Sequence, residues 1–402
     1  MSKRAVSKRL LQIPASPIRK LVPFAMAAKK RGIKVYHLNI GDPDIETPEV
    51  MLKILKKWSQ NPISYSQSQG EPIFLEALKT YYNQLGFSFI ETSHLQVTVG
   101  GSEAISMALL AVTEARDEII SFEPFYTNYN SYAAVNGIKI VPVLTKPGDG
   151  FHLPSVKEIE KKISRKTKAI LYCNPNNPTG TVYSRKEIEM LVTIAKKNNL
   201  FLIADEVYRE FVYDRKKHTS VLSYFENIPN QAILVDSLSK RYSLCGARLG
   251  VLSSLNKQII DGVLRIAQGR LSAGLVDQIM AAKLTDVPHS YFQHVHKEYQ
   301  NRRNVLYKGL QSIPGVKVPK PEGAFYCIVD LPVKDSEDSC KFLLTDFNLN
   351  GETVMFAPAQ GFYATAGLGK NQVRIAYVLN TSKLKKCVKI LEAGLTAYGK
   401  KK

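Results

Sequence analysis

The sequence predicts an α/β fold: a mainly parallel sheet of the seven-stranded type flanked by helices, with a smaller α+β domain beside it. Three observations lead there. From about residue 95, short runs rich in β-branched residues alternate with amphipathic helical stretches, the pattern of a parallel sheet covered on both faces. After about residue 290 the texture changes to one long charged helical stretch, two apolar runs and a closing helix. A chain of 402 residues can also bury more than one core.

The elements follow in order. "QVTV" reads as a strand and "GSEAISMALLAV" as a helix, then "DEIISF" and "YTNYNSYAAVNG", then "IKIVPVL" and "SVKEIEKKI". "KAILYC", "SRKEIEMLVTIAKKN", "LFLIADE" and "QAILVD" continue the alternation, and "GVLSS" adds one further strand. The later region holds the helix "YFQHVHKEYQNRRNVLYKGLQ" and the strands in "GAFYCIVDL" and "NQVRIAYVL". Residues 48–290 are therefore expected to form the large domain. Residues 1–47 are too short to stand alone and are expected to join 291–402 in the small one.

Composition excludes several classes. No run of about 18 apolar residues occurs, so no membrane span is expected. The net charge of +20 invites a nucleic-acid reading. However, the lysines and arginines are spread along helical faces, without zinc-finger spacing, RNA-recognition aromatics or basic-region heptads. The basic N-terminus, "MSKRAVSKRLLQIPASPIRK", lacks the apolar stretch of a secretory signal and reads as a surface arm. Five scattered cysteines without a CxxC pair argue against a disulfide framework or zinc site and for a reducing cytoplasm. The seven histidines show no HxxxH pattern.

Ligands of open parallel sheets sit beyond the carboxyl ends of the strands. Gly101-Ser102, Asn177, Asp205, Tyr208, Ser237 and Lys240 all follow apolar runs and should share one rim. A lone lysine past a strand is ordinarily a solvated turn residue. Near Arg241 and Arg248 and partly desolvated, Lys240 is instead expected to be a nucleophilic amine that forms Schiff bases with carbonyl compounds, pyridoxal phosphate among them. That cofactor needs an anion site, an acid for its pyridine nitrogen and a donor for its phenolate. "VGGSEA" places glycines and Ser102 at a helix N-terminus suited to phosphate, although a plain turn capped by Ser102 suits them equally. Asp205, leaving "FLIA", needs a cation, which a pyridinium or a lysine or arginine of the fold would supply. Tyr208 can donate to a phenolate or pack. Asn177, in "NPNNPTG", can donate to the same oxygen or merely shape a turn.

Taken in order, "GGSEA", "NPNNPTG", "DEVY", "SLSKRYSLCGARLG", "GAFY" and "VRIAYVL" resemble the class I, aspartate aminotransferase-like family of fold type I, from about residue 38 to Tyr377. The resemblance implies pyridoxal 5′-phosphate as cofactor, with Lys240 as the Schiff-base lysine, Asp205 on the pyridine nitrogen, and Asn177 and Tyr208 on the phenolate. It implies phosphate contacts from Gly101, Ser102, Glu103, Ser237 and Arg248, and Tyr126 stacked on the ring. Tyr65 matches a tyrosine reaching the neighbouring subunit's phosphate, so a homodimer with shared active sites is implied. Gly41, Asn177 and Arg374 match substrate contacts, with Gly41 and Arg374 holding the α-carboxylate. Arg19, in "ASPIRKL", resembles an arginine that caps an acidic or aromatic substrate side chain, but also suits the start of the helix "IRKLVPFAMAAKKRG".

The implied activity is ping-pong transfer of an amino group between an L-amino acid, of the aspartate or glutamate type, and a 2-oxo acid. A β-elimination lyase of the same fold would share every cofactor residue. From another class, an inactive basic nucleic-acid-binding protein would have no use for the lysine and aspartate. The sequence departs from the family in "FLEA" for "LREA", in "APAQGFY" for "PGxxFG", and in Ser102, where some aspartate-specific relatives carry lysine.

Overall fold

A computed structural model describes residues 6–401; the first five residues of the basic arm and Lys402 lie outside the described residues. Twelve strands are present among them: β1 Lys34–His37, β2 Leu95–Val99, β3 Glu118–Glu123, β4 Lys139–Leu144, β5 Thr167–Cys173, β6 Phe201–Asp205, β7 Ala232–Ser237, β8 Leu249–Ser253, β9 Tyr326–Asp330, β10 Glu352–Met355, β11 Ala357–Pro358 and β12 Gln372–Ala376.

Seven strands form one sheet in the order β2-β8-β7-β6-β5-β3-β4, parallel throughout except β8, which runs antiparallel to both neighbours. This is the mainly parallel α/β sheet expected from the apolar runs. Side chains alternate between its faces. Ile120, Phe122, Ile170, Tyr172, Leu202 and Leu234 join the core on one face, while Ile119, Leu171, Ile203, Ile233 and Val235 join the core on the other. Burial on both faces is why these strands are nearly continuous apolar runs.

Two small sheets, β1-β10 (parallel) and β11-β12-β9 (antiparallel), lie in a further core with the His289–Gln311 and Thr381–Lys401 helices. Val35, Phe325, Tyr326, Val354 and Ile375 belong to it, as do Cys173 and Tyr208 from the rim of the large sheet. Strands β1, β10 and β11 were not anticipated. They are two to four residues long; β1 and β10 pair across most of the chain, as with Lys34 beside Glu352, and β11 is a two-residue edge against β12. A short helix, Lys8–Gln12, lies in the arm, and the helix expected from "IRKLVPFAMAAKKRG" begins at Val22 with Pro23 in its first turn, so Arg19 sits in the turn before it and does not start it.

His152 fastens the large sheet's helices to the segment that enters β9. Its ring lies 3.0 Å from Glu187, in the Arg185–Lys197 helix, and 3.5 Å from Glu322. Glu322 in turn donates its backbone N–H to Gly180 of the "NPNNPTG" turn. Hydrogen bonds to Glu187 and then Glu322 raise His152 to about 9, against partial desolvation. A histidine whose folded-state pKa is raised contributes stability that is fully present below its unfolded value near 6.5 and is lost as pH rises through about 9. His152→Gln should therefore lower the melting temperature at pH 6 by the equivalent of about 1 kcal/mol, allowing for solvent screening. The difference should shrink above pH 9.5 or so; an equal deficit at pH 6 and pH 10, read by thermal unfolding, would refute the charged clasp.

Candidate active site

The carboxyl ends of β5, β6 and β7 converge on a cavity of about 530 Å³. Asp205, the last residue of β6, enters it from the large sheet. Its carboxyl is 4% exposed and forms no ion pair among the described residues. Of the two partners the sequence allowed, a lysine or arginine of the fold is thus not there among the described residues. Instead, the Tyr129 hydroxyl donates to Oδ2 at 2.6 Å and the Val207 N–H to Oδ1 at 3.4 Å. Burial pushes the carboxyl up to about 6, against those two donors.

Strand β7 ends at Ser237, which caps the four-residue helix Leu238–Arg241 by accepting from the Ser239 N–H. Lys240 is half-buried on that turn, its Nζ 2.8 Å from the Gly41 carbonyl and 3.5 Å from Cys245 Sγ. Arg241 is buried and bonds Asp236, so of the two neighbouring arginines only Arg248 lines the cavity.

Gly101 and Ser102 lie in the first turn of the Gly100–Val112 helix, which starts two residues before the expected Ser102 cap. A side chain would strain the backbone at Gly100 and crowd it at Gly101. Gly100 has φ +76°, and a Cβ on it would come within 2.5 Å of Arg248 Nη2. A Cβ on Gly101 would stand 3.2 Å from Val207 and 3.6 Å from Ser237, across the same cradle. Glu103 points elsewhere: its carboxylate accepts from the Val99 N–H at 2.6 Å and from Arg270 Nε at 2.9 Å. That leaves it a backbone N–H, and no side chain, for an anion at this turn.

The opposite wall comes from the chain ends. Arg374, on β12, is 1% exposed. Its Nη1 donates to Asn177 Oδ1 at 3.1 Å and its Nη2 to the Asn39 carbonyl at 2.5 Å. The guanidinium lies over the Tyr326 and Phe362 rings, 4.5 and 4.9 Å from their centroids, and its buried Nε has no partner. No carboxylate pairs with it among the described residues. Tyr208 and Tyr326 join hydroxyls at 3.0 Å, and a Cβ on Gly41 would run into Tyr326.

Of the residues singled out from sequence, Arg19, Gly41, Gly101, Ser102, Tyr126, Asn177, Asp205, Tyr208, Ser237, Lys240, Arg248 and Arg374 line this one cavity. Glu103 and Tyr65 do not, and Tyr65 is 82% exposed. Sequence reasoning missed Tyr129, Asn39 and Tyr326. Tyr129 was detectable three residues after Tyr126, at the start of the predicted helix; Asn39 acts through its backbone and left no signal.

The profile described as "Aminotransferase class I and II" matches residues 33–391. An aspartate aminotransferase of Thermotoga maritima is 31% identical over 96% of this chain and 98% of its own length. A probable aspartate/prephenate aminotransferase of Aquifex aeolicus is 26% identical over 98% of this chain and 99% of its own. The solved structure of the Thermus thermophilus aspartate aminotransferase with maleate superposes with a TM-score of 0.87 at 25% identity, covering 98% of this chain and 100% of the other. With a match of that extent and a cavity built from its six motifs, this chain belongs to the class I and II aminotransferase family and is a transaminase.

Proposed function

We propose that the cavity binds pyridoxal 5′-phosphate and transfers an amino group between an acidic L-amino acid and a 2-oxo acid. The observation that carries the reading is the buried, unpaired Arg374 in the same cavity as an amine and an unpaired buried carboxylate. Isolated buried charges are costly, and a substrate carboxylate and a pyridinium would each offset one of them.

The residues fit the cofactor. Ser102, Ser237, Arg248 and the free N–H groups of the Gly100–Val112 helix, lining a cradle that a Cβ at Gly101 would crowd, would take its phosphate. Asp205 would hold the ring nitrogen protonated, Tyr126 would cover the ring, and Tyr208 would donate to the phenolate. Asn177 Oδ1 is occupied by Arg374, so its Nδ2 is left to donate to that same oxygen. When bound, the group supplies an electron sink that makes the Cα proton of an amino acid removable. Arg374 holds the α-carboxylate and thereby fixes which Cα bond faces the lysine. The Gly41 carbonyl orients Lys240 Nζ, which takes the Cα proton as general base. Tyr208 and Tyr326 wall this part of the cavity against water.

Residues 48–290 serve as the cofactor domain and 1–47 with 291–402 as the small domain, in line with the separate cores. A homodimer with shared sites accords with Tyr65 and Ile63 standing 82% and 62% exposed. A cytoplasmic location accords with five free cysteines; no helix of the described residues is long and apolar enough to cross a membrane. The substrate side chain is proposed to meet Arg19, exposed beside Ser16 and Ile18 on the arm that lines the cavity.

Three substitutions and one assay of the wild type test this reading. Lys240→Ala should lose the covalent cofactor adduct, seen by absorbance, and at least ~10³-fold in transamination while keeping its fold; near wild-type turnover would remove the lysine from its role. Wild-type release of ammonia and a 2-oxo acid without an acceptor would instead mark a lyase. Arg374→Ala should weaken every amino acid by roughly 2–5 kcal/mol in kcat/KM, and a loss confined to some substrates would make Arg374 a side-chain reader. Arg19→Ala should impair aspartate and glutamate at least ~10-fold more than alanine or phenylalanine; equal losses across the four would sink the capping role.

A further inference from the structure

Tyr129 lies behind Asp205 and is not among the cavity's lining residues. It stands in the first turn of the Asn128–Asn136 helix, three residues after Tyr126, which precedes that helix, and the two rings meet edge-on with centroids 5.7 Å apart. Phe125 stacks on it at 6.0 Å. The side chain is fully buried, and its hydroxyl donates to Asp205 Oδ2 at 2.6 Å, the shorter of the two bonds that carboxylate receives.

We propose that Tyr129 is the positioning residue for Asp205: its hydroxyl holds one carboxylate oxygen, keeps the group ionised and leaves Oδ1 to face the cavity. The proposal rests on the reading of Asp205 as the partner of the cofactor's ring nitrogen. Geometry makes the division of labour asymmetric. Oδ2 is taken by a short bond from a group that cannot move, packed between Phe125 and Tyr126. Oδ1 receives a long 3.4 Å contact from the Val207 N–H and is the atom with accepting capacity to spare.

The groups around Asp205 give this bond its weight. Burial disfavours its ionised form, and the negative charges of Asp236 on β7 and Glu206 act the same way. Cys173, paired with it in register on β5, is a neutral thiol raised well above its ordinary value by burial, and Tyr126 and Tyr132 face it as neutral phenols. Among the groups that shift Asp205, the Tyr129 hydroxyl and the Val207 N–H are the two that favour ionisation. Tyr129 itself is held well above the ordinary phenol range, first by burial and then by Asp205, so it remains the donor across the working pH range.

The test is Tyr129→Phe, which removes one oxygen and keeps the ring and its packing. In apo-protein labelled with carbon-13 at the aspartate carboxyls, the Asp205 signal is identified by its absence in Asp205→Asn. It should titrate about one pH unit or more higher in the variant than in the wild type, a tenfold change in protonation equilibrium. Cofactor affinity, read by fluorescence quenching, should fall about fivefold near pH 6 and recover toward wild type by about pH 9, where the carboxyl is again ionised. An unchanged Asp205 titration overturns the proposal, as does an affinity loss equal at every pH, which would make Tyr129 a packing residue. A wild-type protein that binds no cofactor would instead refute the cofactor reading, and the apo titration would still decide whether Tyr129 governs Asp205.

Discussion

The ion pair between Asp236 and Arg241 underlies the geometry of the site. Four residues do not make a stable helix alone, yet the turn Leu238–Arg241 must hold Lys240 at one place. It is held because Asp236, at the end of β7, accepts from Arg241 across the turn, from the Ser237 N–H at 2.7 Å and from the Tyr82 hydroxyl at 2.9 Å. Arg241 also lies over the Tyr81 ring, 4.6 Å from its centroid. Breaking a buried pair of this kind strands a charge in the core, at about 3–5 kcal/mol. The lysine therefore sits on a clip closed behind it, which frees its own amine to face the cavity.

Two buried aspartates one strand apart show how a core distinguishes structure from chemistry. Asp236 and Asp205 end adjacent strands and both are almost fully buried. Burial pushes the Asp236 carboxyl up, but Arg241 and Arg209 more than offset it, so it lies below the ordinary carboxylate range. Asp205 has hydroxyl and amide donors in place of cations and rises to about 6. The first is spent within the fold. The second, like Arg374 on the facing wall, has hydrogen-bond donors or acceptors but no opposite charge among the described residues, and the proposed function gives each that partner in a ligand.

Much of this was legible in the sequence because it is local. A strand buried on both faces must be an apolar run, so β3, β5, β6 and β7 announced themselves, and the residues after them were the rim. Lys240 and Arg248 were legible by spacing around one turn. What was not legible depends on partners far away in the chain. The partner of Arg241 could not be told from that of Arg248, although one lines the cavity and the other is locked to Asp236. Glu103 matched its motif, yet its carboxylate answers Arg270, 167 positions on. β1 is four residues whose pairing with β10 has no local signal. Asp205 was expected to pair with a pyridinium or with a lysine or arginine of the fold; among the described residues no such side chain pairs with it, and a tyrosine hydroxyl 76 positions away partly offsets its burial.

The same division of distances bears on how the two halves of the site can change. One half, the one proposed to hold the cofactor, hangs from the strand ends of one sheet, where Asp205, Ser237 and Lys240 are fixed by backbone register. The other, proposed to hold the substrate, is assembled from the chain ends: the Ala376 N–H bonds the Leu38 carbonyl at 2.8 Å, which sets Asn39 and Gly41 beside Arg374. At the cavity, hydrogen bonds from Arg374 to Asn177, from Lys240 to Gly41 and between Tyr208 and Tyr326 join the halves. They lie toward the end where the proposed reading places the α-carboxylate, the part every amino acid shares. Ser16, Ile18 and Arg19, on the arm, lie outside that joint and line the cavity from a segment no strand constrains. Substitutions there can alter which side chain is accepted while leaving the proton-transfer geometry at Lys240 intact, which is the physical reason substrate choice is the least legible property of this chain.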